Sequence, residues 1–254
     1  MASWADLDAE LVLWRAGGEV PTFWWRDDDT EAPTAALDRL ISIAESVGQP
    51  LHLAVVPKQI DAGLASRLRA SPLVHVLQHG FAHINHEAKG TGASEVGVTR
   101  DISLQVDDLR EGWRRLLRAD LPQLVPMLVP PWNRIAETTL PHLPGLGYAA
   151  VSTFYRRPHP APVKGLQHFH CHIDPIRWKE GARFSGTEKT LEQCVLHLRQ
   201  RRLGDAEKDE PTGFVSHHLQ TDEDTWDFMA AFLARLTQNG ATRWLRIADV
   251  LKES

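Results

Sequence analysis

Val20-Pro21-Thr22-Phe23-Trp24-Trp25-Arg26 runs directly into Asp27-Asp28-Asp29. The aromatic run reads as a strand, Val20 to Arg26, that delivers three carboxylates at its C-terminal end. Adjacent carboxylates repel one another, and placing them after an apolar strand is unfavourable without a compensating cation. Arg26 supplies part of that charge. Without the strand context, the same residues read as an exposed acidic turn ahead of the helix that follows Pro33. The Asp-x-Asp within the cluster also suggests phosphoryl chemistry, but Glu31 stands where that motif requires threonine.

Working outward, strands and helices alternate. Residues 3–17 have helical spacing and stop at Gly17-Gly18. Pro33 to Val47 is a helix that ends at Gly48, Pro50 to Val56 a buried strand, and Ile60 to Ala70 a short helix. Leu73 to Leu77 is a strand that leads into Gln78-His79. Asp101 to Arg118 is a long helix with Leu104, Leu109, Trp113, Leu116 and Leu117 assigned to its apolar face. Strands follow at Leu124 to Val129, Tyr148 to Ser152, His168 to Ile173, Thr212 to Ser216 and Arg243 to Arg246. Between them lie a helix-like stretch, Thr138 to Leu146, and helices at Leu191 to Arg202 and Thr225 to Thr237, with a last helix at Ile247 to Lys252. Loops are expected at Arg156 to Lys164, with three prolines near the mouth of the site, and at Arg201 to Pro211. The alternation predicts a parallel α/β structure with its chemistry at strand C-terminal ends. With no composition break, the 254 residues read as one domain, 1–254, with the N-terminal helix packed on it.

Composition narrows the function. Hydrophobic residues make up 43%, enough for a full core, and the net charge of −5 argues against nucleic acid as a partner. The two cysteines, Cys171 and Cys194, need no disulfide framework. The N-terminus is acidic and lacks signal-peptide character, and no apolar run is long enough to span a membrane. The expectation is a soluble, cytoplasmic protein.

Four further constellations carry chemistry. His79-Gly80-Phe81-Ala82-His83 places two histidines four apart, so that one helical turn would bring both rings to one side. A carboxylate with two imidazoles leaves coordination positions open for water and substrate. In a chain with 13 histidines this spacing also arises by chance, and His86 adds a second possible spacing. Val129-Pro130-Pro131-Trp132-Asn133 fixes a strand exit and aims Trp132 as an apolar wall of the kind sugar rings stack on. His172-Ile173-Asp174-Pro175-Ile176-Arg177-Trp178 offers Asp174 or Arg177 to orient a catalytic group and Trp178 to line a pocket. Phe214-Val215-Ser216-His217-His218 ends an apolar strand on a histidine able to act as general acid.

In this order the elements resemble the motifs of the polysaccharide deacetylase family, carbohydrate esterase family 4: Asp-Asp, His-Ser/Thr-x-x-His, Arg-Pro-Pro, Asp-x-x-Asp-Trp and Leu-x-His. The resemblance implies a distorted (β/α) barrel and metal-assisted hydrolysis of an N-acetyl or similar acyl group on an amino sugar or related small amide. It implies one divalent metal, zinc by default, with manganese, cobalt or nickel also fitting. Spacing to Thr34 and Leu37 favours Asp27 as general base and Asp28 as metal ligand beside His79 and His83; a shift by one gives Asp28 and Asp29. His217 takes the general-acid position, with His218 as fallback, and Trp132 and Trp178 contact substrate. Three positions depart from the motifs: Gly80 replaces Ser/Thr, Val129 replaces the arginine that partners the base, and Arg177 replaces the second aspartate. A charge exchange is expected, with Arg177 or Arg26 supplying the missing cation. Other functions compatible with the sequence are an inactive metal- or carbohydrate-binding protein and glycosidic cleavage by Asp27 with Asp174.

Overall fold

The structure, a computed structural model, describes residues 1–121, 123–155 and 163–253. The elements run α1 (Trp4–Ala16), β1 (Thr22–Thr30), α2 (Ala35–Val47), β2 (Leu51–Val55), α3 (Ala62–Arg69), β3 (Val74–His79), α4 (Ile102–Arg118) and β4 (Leu124–Val129). They continue with β5 (Ala150–Val151), β6 (Gln167–His168), β7 (Ile176–Arg177), β8 (Arg183–Phe184), α5 (Thr187–Leu203), β9 (Thr212–Ser216), α6 (Glu223–Thr237), β10 (Arg243–Trp244) and α7 (Ile247–Lys252). The helices start where local chemistry starts them: Ser3, Thr34, Asp61 and Asp222 each accept a backbone N–H of the first turn.

The main sheet is parallel throughout, in the order β10-β1-β2-β3-β4-β5-β6, and β9 pairs with β1 on its other side. It curls until the segment after β6 meets β9. Phe154 bridges to Cys171, Ile173 bridges to Phe214, and the Ile173 carbonyl accepts the Val215 N–H at 2.9 Å. Gly213 makes this closure possible, because a Cβ there would sit 2.2 Å from the His170 carbonyl oxygen and 2.6 Å from Trp24 Nε1. The result is a distorted (β/α) barrel, as the resemblance implies. Phe23, Trp25, Leu53, Val55, Val74 and Val76 point outward into the layer shared with the helices. Trp24, Ala54, Leu77, Met127, Val129 and Val215 form a second cluster on the other face of the same strands, inside the barrel. The N-terminal helix packs on α5, where Trp14 Nε1 donates to the Leu198 carbonyl at 3.3 Å.

Several expectations shift. Strand β1 does not stop at Arg26 but carries the acidic cluster within it. The buried face of α4 is Gln105, Leu109, Gly112 and Leu116, whereas Leu104 and Leu117 are exposed. Thr138 to Leu146 forms 3-10 turns, because Pro141 and Pro144 interrupt helical hydrogen bonding. The β7–β8 hairpin has no counterpart in the sequence reading. The loop expected over 156–164 lies outside the described residues except for Val163 and Lys164. Among the described residues no helix is long and apolar enough to cross a membrane.

Several histidines are packed in the neutral form. His52 Nδ1 lies 2.9 Å from the Trp25 carbonyl, while its Nε2 accepts the Ile247 N–H at 3.2 Å. Burial depresses His52, His170 and His197 to about 3 and His75 to about 4. Between these values and the unfolded value of about 6.5, the unfolded chain binds protons that the folded chain refuses. Their contribution to stability is therefore full above that pH and is lost as the pH falls through the window. Histidines whose values are raised in the folded chain, described below, act only above about 6.5 and leave this window unchanged. The urea midpoint should fall steadily from about pH 6.5 to about pH 4.5; a flat midpoint across that range would contradict the neutral packing.

Candidate metal centre

The period of two along β1 decides where its carboxylates go. Phe23, Trp25 and Asp27 share the outward face, and Trp24, Arg26 and Asp28 share the barrel interior. Asp27 is fully buried behind the site. Its Oδ2 accepts from Ser216 Oγ at 2.6 Å and from the His218 N–H at 3.1 Å, and its Oδ1 lies 2.5 Å from His218 Nδ1. Burial lowers the His218 value, but the Asp27 charge and hydrogen bond outweigh it and leave it raised. Asp27 and His218 thus satisfy each other away from the cavity. The base role expected for Asp27 lacks access to substrate, and so does glycosidic cleavage by Asp27 with Asp174.

Asp28 faces the cavity, gripped side-on by Arg26: Nε lies 2.8 Å from Oδ1, and Nη2 donates to Oδ2 at 2.9 Å. Strict alternation would turn Asp29 outward. Instead the β1–β2 register shifts between Asp27 and Thr30, and Asp29 adopts a left-handed φ of 67°. This irregularity brings Asp29 round to the cavity beside Asp28.

The histidines arrive at the end of β3. His79 is its last residue, and His83 lies beyond it in an irregular turn with φ 55° rather than on a helix. Their ring centroids are 5.2 Å apart. Asp29 Oδ1 lies 3.0 Å from His79 Nε2 and 3.2 Å from His83 Nε2. In place of the expected Asp28, the structure groups Asp29 with His79 and His83, and these three could hold a metal ion, with ligand atoms within 4.8 Å of one another.

This donor set fits a divalent cation. His79 Nδ1 lies 3.0 Å from the Val129 carbonyl, an acceptor that requires the proton on Nδ1. A neutral His79 then turns the lone pair of Nε2 toward an anionic oxygen, a contact that needs a cation or a second proton between them. Burial lowers His79, but the Asp29 hydrogen bond and the charges of Asp28 and Asp29 raise it overall. Burial likewise pushes Asp29 up, and hydrogen bonds from His79 and His83 outweigh it and hold it far below the usual carboxylate range.

A second convergence, His172, His197 and Glu210, is wholly buried and suits hydrogen bonding better than a metal. His172 Nδ1 accepts the Gly213 N–H at 3.0 Å, which puts the proton of a neutral ring on Nε2, 3.2 Å from Glu210 Oε1.

The cavity over Asp28 and Asp29 measures about 590 Å³ and includes His79, His83, Trp132, Phe154, Tyr155, Asp174, Trp178 and His217 in its lining. His217 Nε2 lies 3.8 Å from Asp28 Oδ2. The Trp178 ring stands edge-on to His217 at 4.6 Å, and its Nε1 donates to Asp174 Oδ2 at 2.8 Å. Burial raises Asp174, against the opposing pull of His217 and the Trp178 hydrogen bond. Trp132 packs 4.3 Å from the His83 ring. Trp132 and Asn133 both have φ 56°, an arrangement that costs roughly 1–3 kcal/mol per non-glycine residue. Arg177, expected in the site, is instead half-exposed on the β7–β8 hairpin beside Glu180, because β-alternation turns Ile176 and Trp178 to the cavity and Arg177 away.

Sequence reasoning missed Glu95. This buried carboxylate accepts the Phe81 N–H at 3.0 Å and the Ala82 N–H at 2.8 Å, pinning the loop between the two histidines. It also explains Gly80. A Cβ there would meet Glu95 Oε2 at 1.9 Å and the Pro131 ring at 2.7 Å, and φ is +52°. Restoring the motif's hydroxyl with Gly80→Ser should therefore destabilise the fold by about 2–4 kcal/mol, read as a lower denaturant midpoint. An unchanged midpoint would show that Glu95 does not fill this role.

No protein-family model matches the sequence, and no curated protein does. Solved structures do. A Mycobacterium smegmatis protein assigned to the polysaccharide deacetylases superposes with a TM-score of 0.63 at 14% identity, covering 92% of this chain and 89% of that one. The chitin deacetylase of Colletotrichum lindemuthianum gives 0.54 at 14% identity, covering 90% and 85%. A family 4 acetyl xylan esterase from Clostridium thermocellum, solved with a cobalt ion, gives 0.50 at 11% identity, covering 91% and 91%. Across nearly its whole length, the chain has the fold of the polysaccharide deacetylases of carbohydrate esterase family 4.

Proposed function

We propose that this protein is a metal-dependent deacylase that removes an N-acetyl or similar acyl group from an amino sugar or a related small amide. The observation that carries this reading is the meeting, in one cavity, of an Asp-His-His ligand set, a separate carboxylate and a histidine. A closed structural metal site has no use for the last two.

Asp29, His79 and His83 would hold the ion, zinc by default for two imidazoles and a carboxylate. A divalent ion there supplies Lewis-acid polarisation of the acyl carbonyl. Asp28 is the general base: it takes a proton from the attacking water as the new C–O bond forms. His217 is the general acid: it gives a proton to the departing nitrogen as the C–N bond breaks, leaving a carboxylic acid and a free amine. Trp132 and Trp178 offer partly exposed faces on which a sugar ring can stack. A cavity of about 590 Å³ suits a small sugar derivative. The Arg26–Asp28 pair supports catalysis over binding alone, because it gives Asp28 the cation that position 129 does not.

Asp28→Asn and His217→Ala should each lower kcat for acetate release by about 10²–10⁴-fold, with KM changed far less. The assay uses zinc-loaded protein with N-acetylglucosamine oligomers and p-nitroacetanilide. A variant at either position that turns over at the wild-type rate would remove that residue from the mechanism.

A further inference from the structure

We infer that Arg26 is the positioning residue of the general base and that it also locks the turn carrying Trp132, joining base and substrate wall through one guanidinium. The inference rests on the deacylase reading above. Its ground is the set of bonds this side chain makes. Arg26 is fully buried, and besides its two contacts to Asp28 it donates from Nη2 to Asn133 Oδ1 at 2.6 Å. Nη1 donates to Ser152 Oγ at 2.5 Å, with the Thr153 carbonyl at 3.5 Å. One rigid fork thus spans β1, the 130–133 turn and the exit of β5.

The chemistry needs such a fork. A buried charge is costly unless it is paired and hydrogen-bonded, and Arg26 does both for Asp28. Burial works against the Arg26 charge too, but Asp28 outweighs it and raises the arginine further. A hydrogen bond from Nη2 to one oxygen and a close approach of Nε to the other also restrain the carboxylate at two points, which a lysine's single ammonium does not. Val129 is fully buried in the apolar cluster inside the barrel and offers no charge, so the cation comes from two residues before the base, on the same face of the same strand. Asn133 adds the second function. It follows Trp132 in a turn where both residues are left-handed, and its bond to Arg26 holds that turn against relaxation.

The test uses zinc-loaded wild type, Arg26→Lys, Arg26→Ala and Asn133→Ala, each checked for metal content. Arg26→Lys should keep about one equivalent of zinc yet lose at least about tenfold in kcat. Arg26→Ala should be lower still, and tens of millimolar guanidinium should restore about tenfold of its turnover, whereas urea at the same concentration should not. Asn133→Ala should raise KM by about fivefold while kcat stays within about threefold. If Arg26→Lys turns over like the wild type, or Asn133→Ala leaves KM unchanged, the inference falls and the deacylase reading stands. Should either Arg26 variant fail to fold, the Asn133→Ala result decides. A zinc-loaded wild type that releases no acetate from any probe overturns the deacylase reading and this inference with it.

Discussion

Three consecutive carboxylates on one buried strand are tolerable only if each is neutralised, and in this protein each has its own answer. Asp27 is neutralised by His218 and the Ser216 hydroxyl on the outer face. Asp28 is neutralised inside the barrel by Arg26. Asp29 meets two imidazoles, an arrangement that calls for a proton or a metal ion. The order of these partners around β1 separates a structural carboxylate from a basic one and from a liganding one. Most of the site follows from that separation, since β9 brings His217 with His218 and β3 brings His79.

Two of the three departures from the motifs, Gly80 and Val129, are matched by groups elsewhere in the chain. At position 80, any side chain would meet the Glu95 carboxylate, because even a Cβ there would lie 1.9 Å from Glu95 Oε2. The missing arginine at Val129 is matched by the guanidinium of Arg26: an apolar residue on β4 is paired with a buried cation on β1. The second exchange keeps a cation beside Asp28 while changing the residue that carries it. Both are consistent with a shared fold at identities of 14% and below.

Much of the barrel was legible in the sequence because its elements have clear chemical ends. Strands β4 and β9 and helix α7 fall where the apolar runs put them, and Gly48 marks the end of α2. The register of the acidic cluster was not legible. Both faces of β1 are lined by large aromatic residues, so no alternation of polar and apolar residues tells interior from exterior. The bulge that turns Asp29 inward leaves no mark in composition, and counting residues from the following helix therefore lands one position early. Arg177 was misplaced for a related reason, since the hairpin that turns it away from the site is only two residues long on each side. Glu95 was invisible because its partners are backbone N–H groups, which every sequence has.

In the proposed metal site Asp29, and neither of its neighbours, joins His79 and His83. Elemental analysis of zinc-equilibrated wild type, Asp28→Asn and Asp29→Asn tests it most directly. About one equivalent is expected in the wild type and in Asp28→Asn, and near-complete loss in Asp29→Asn. Zinc retained by Asp29→Asn and lost from Asp28→Asn would restore the register read from the sequence and contradict the geometry on which the proposed chemistry rests.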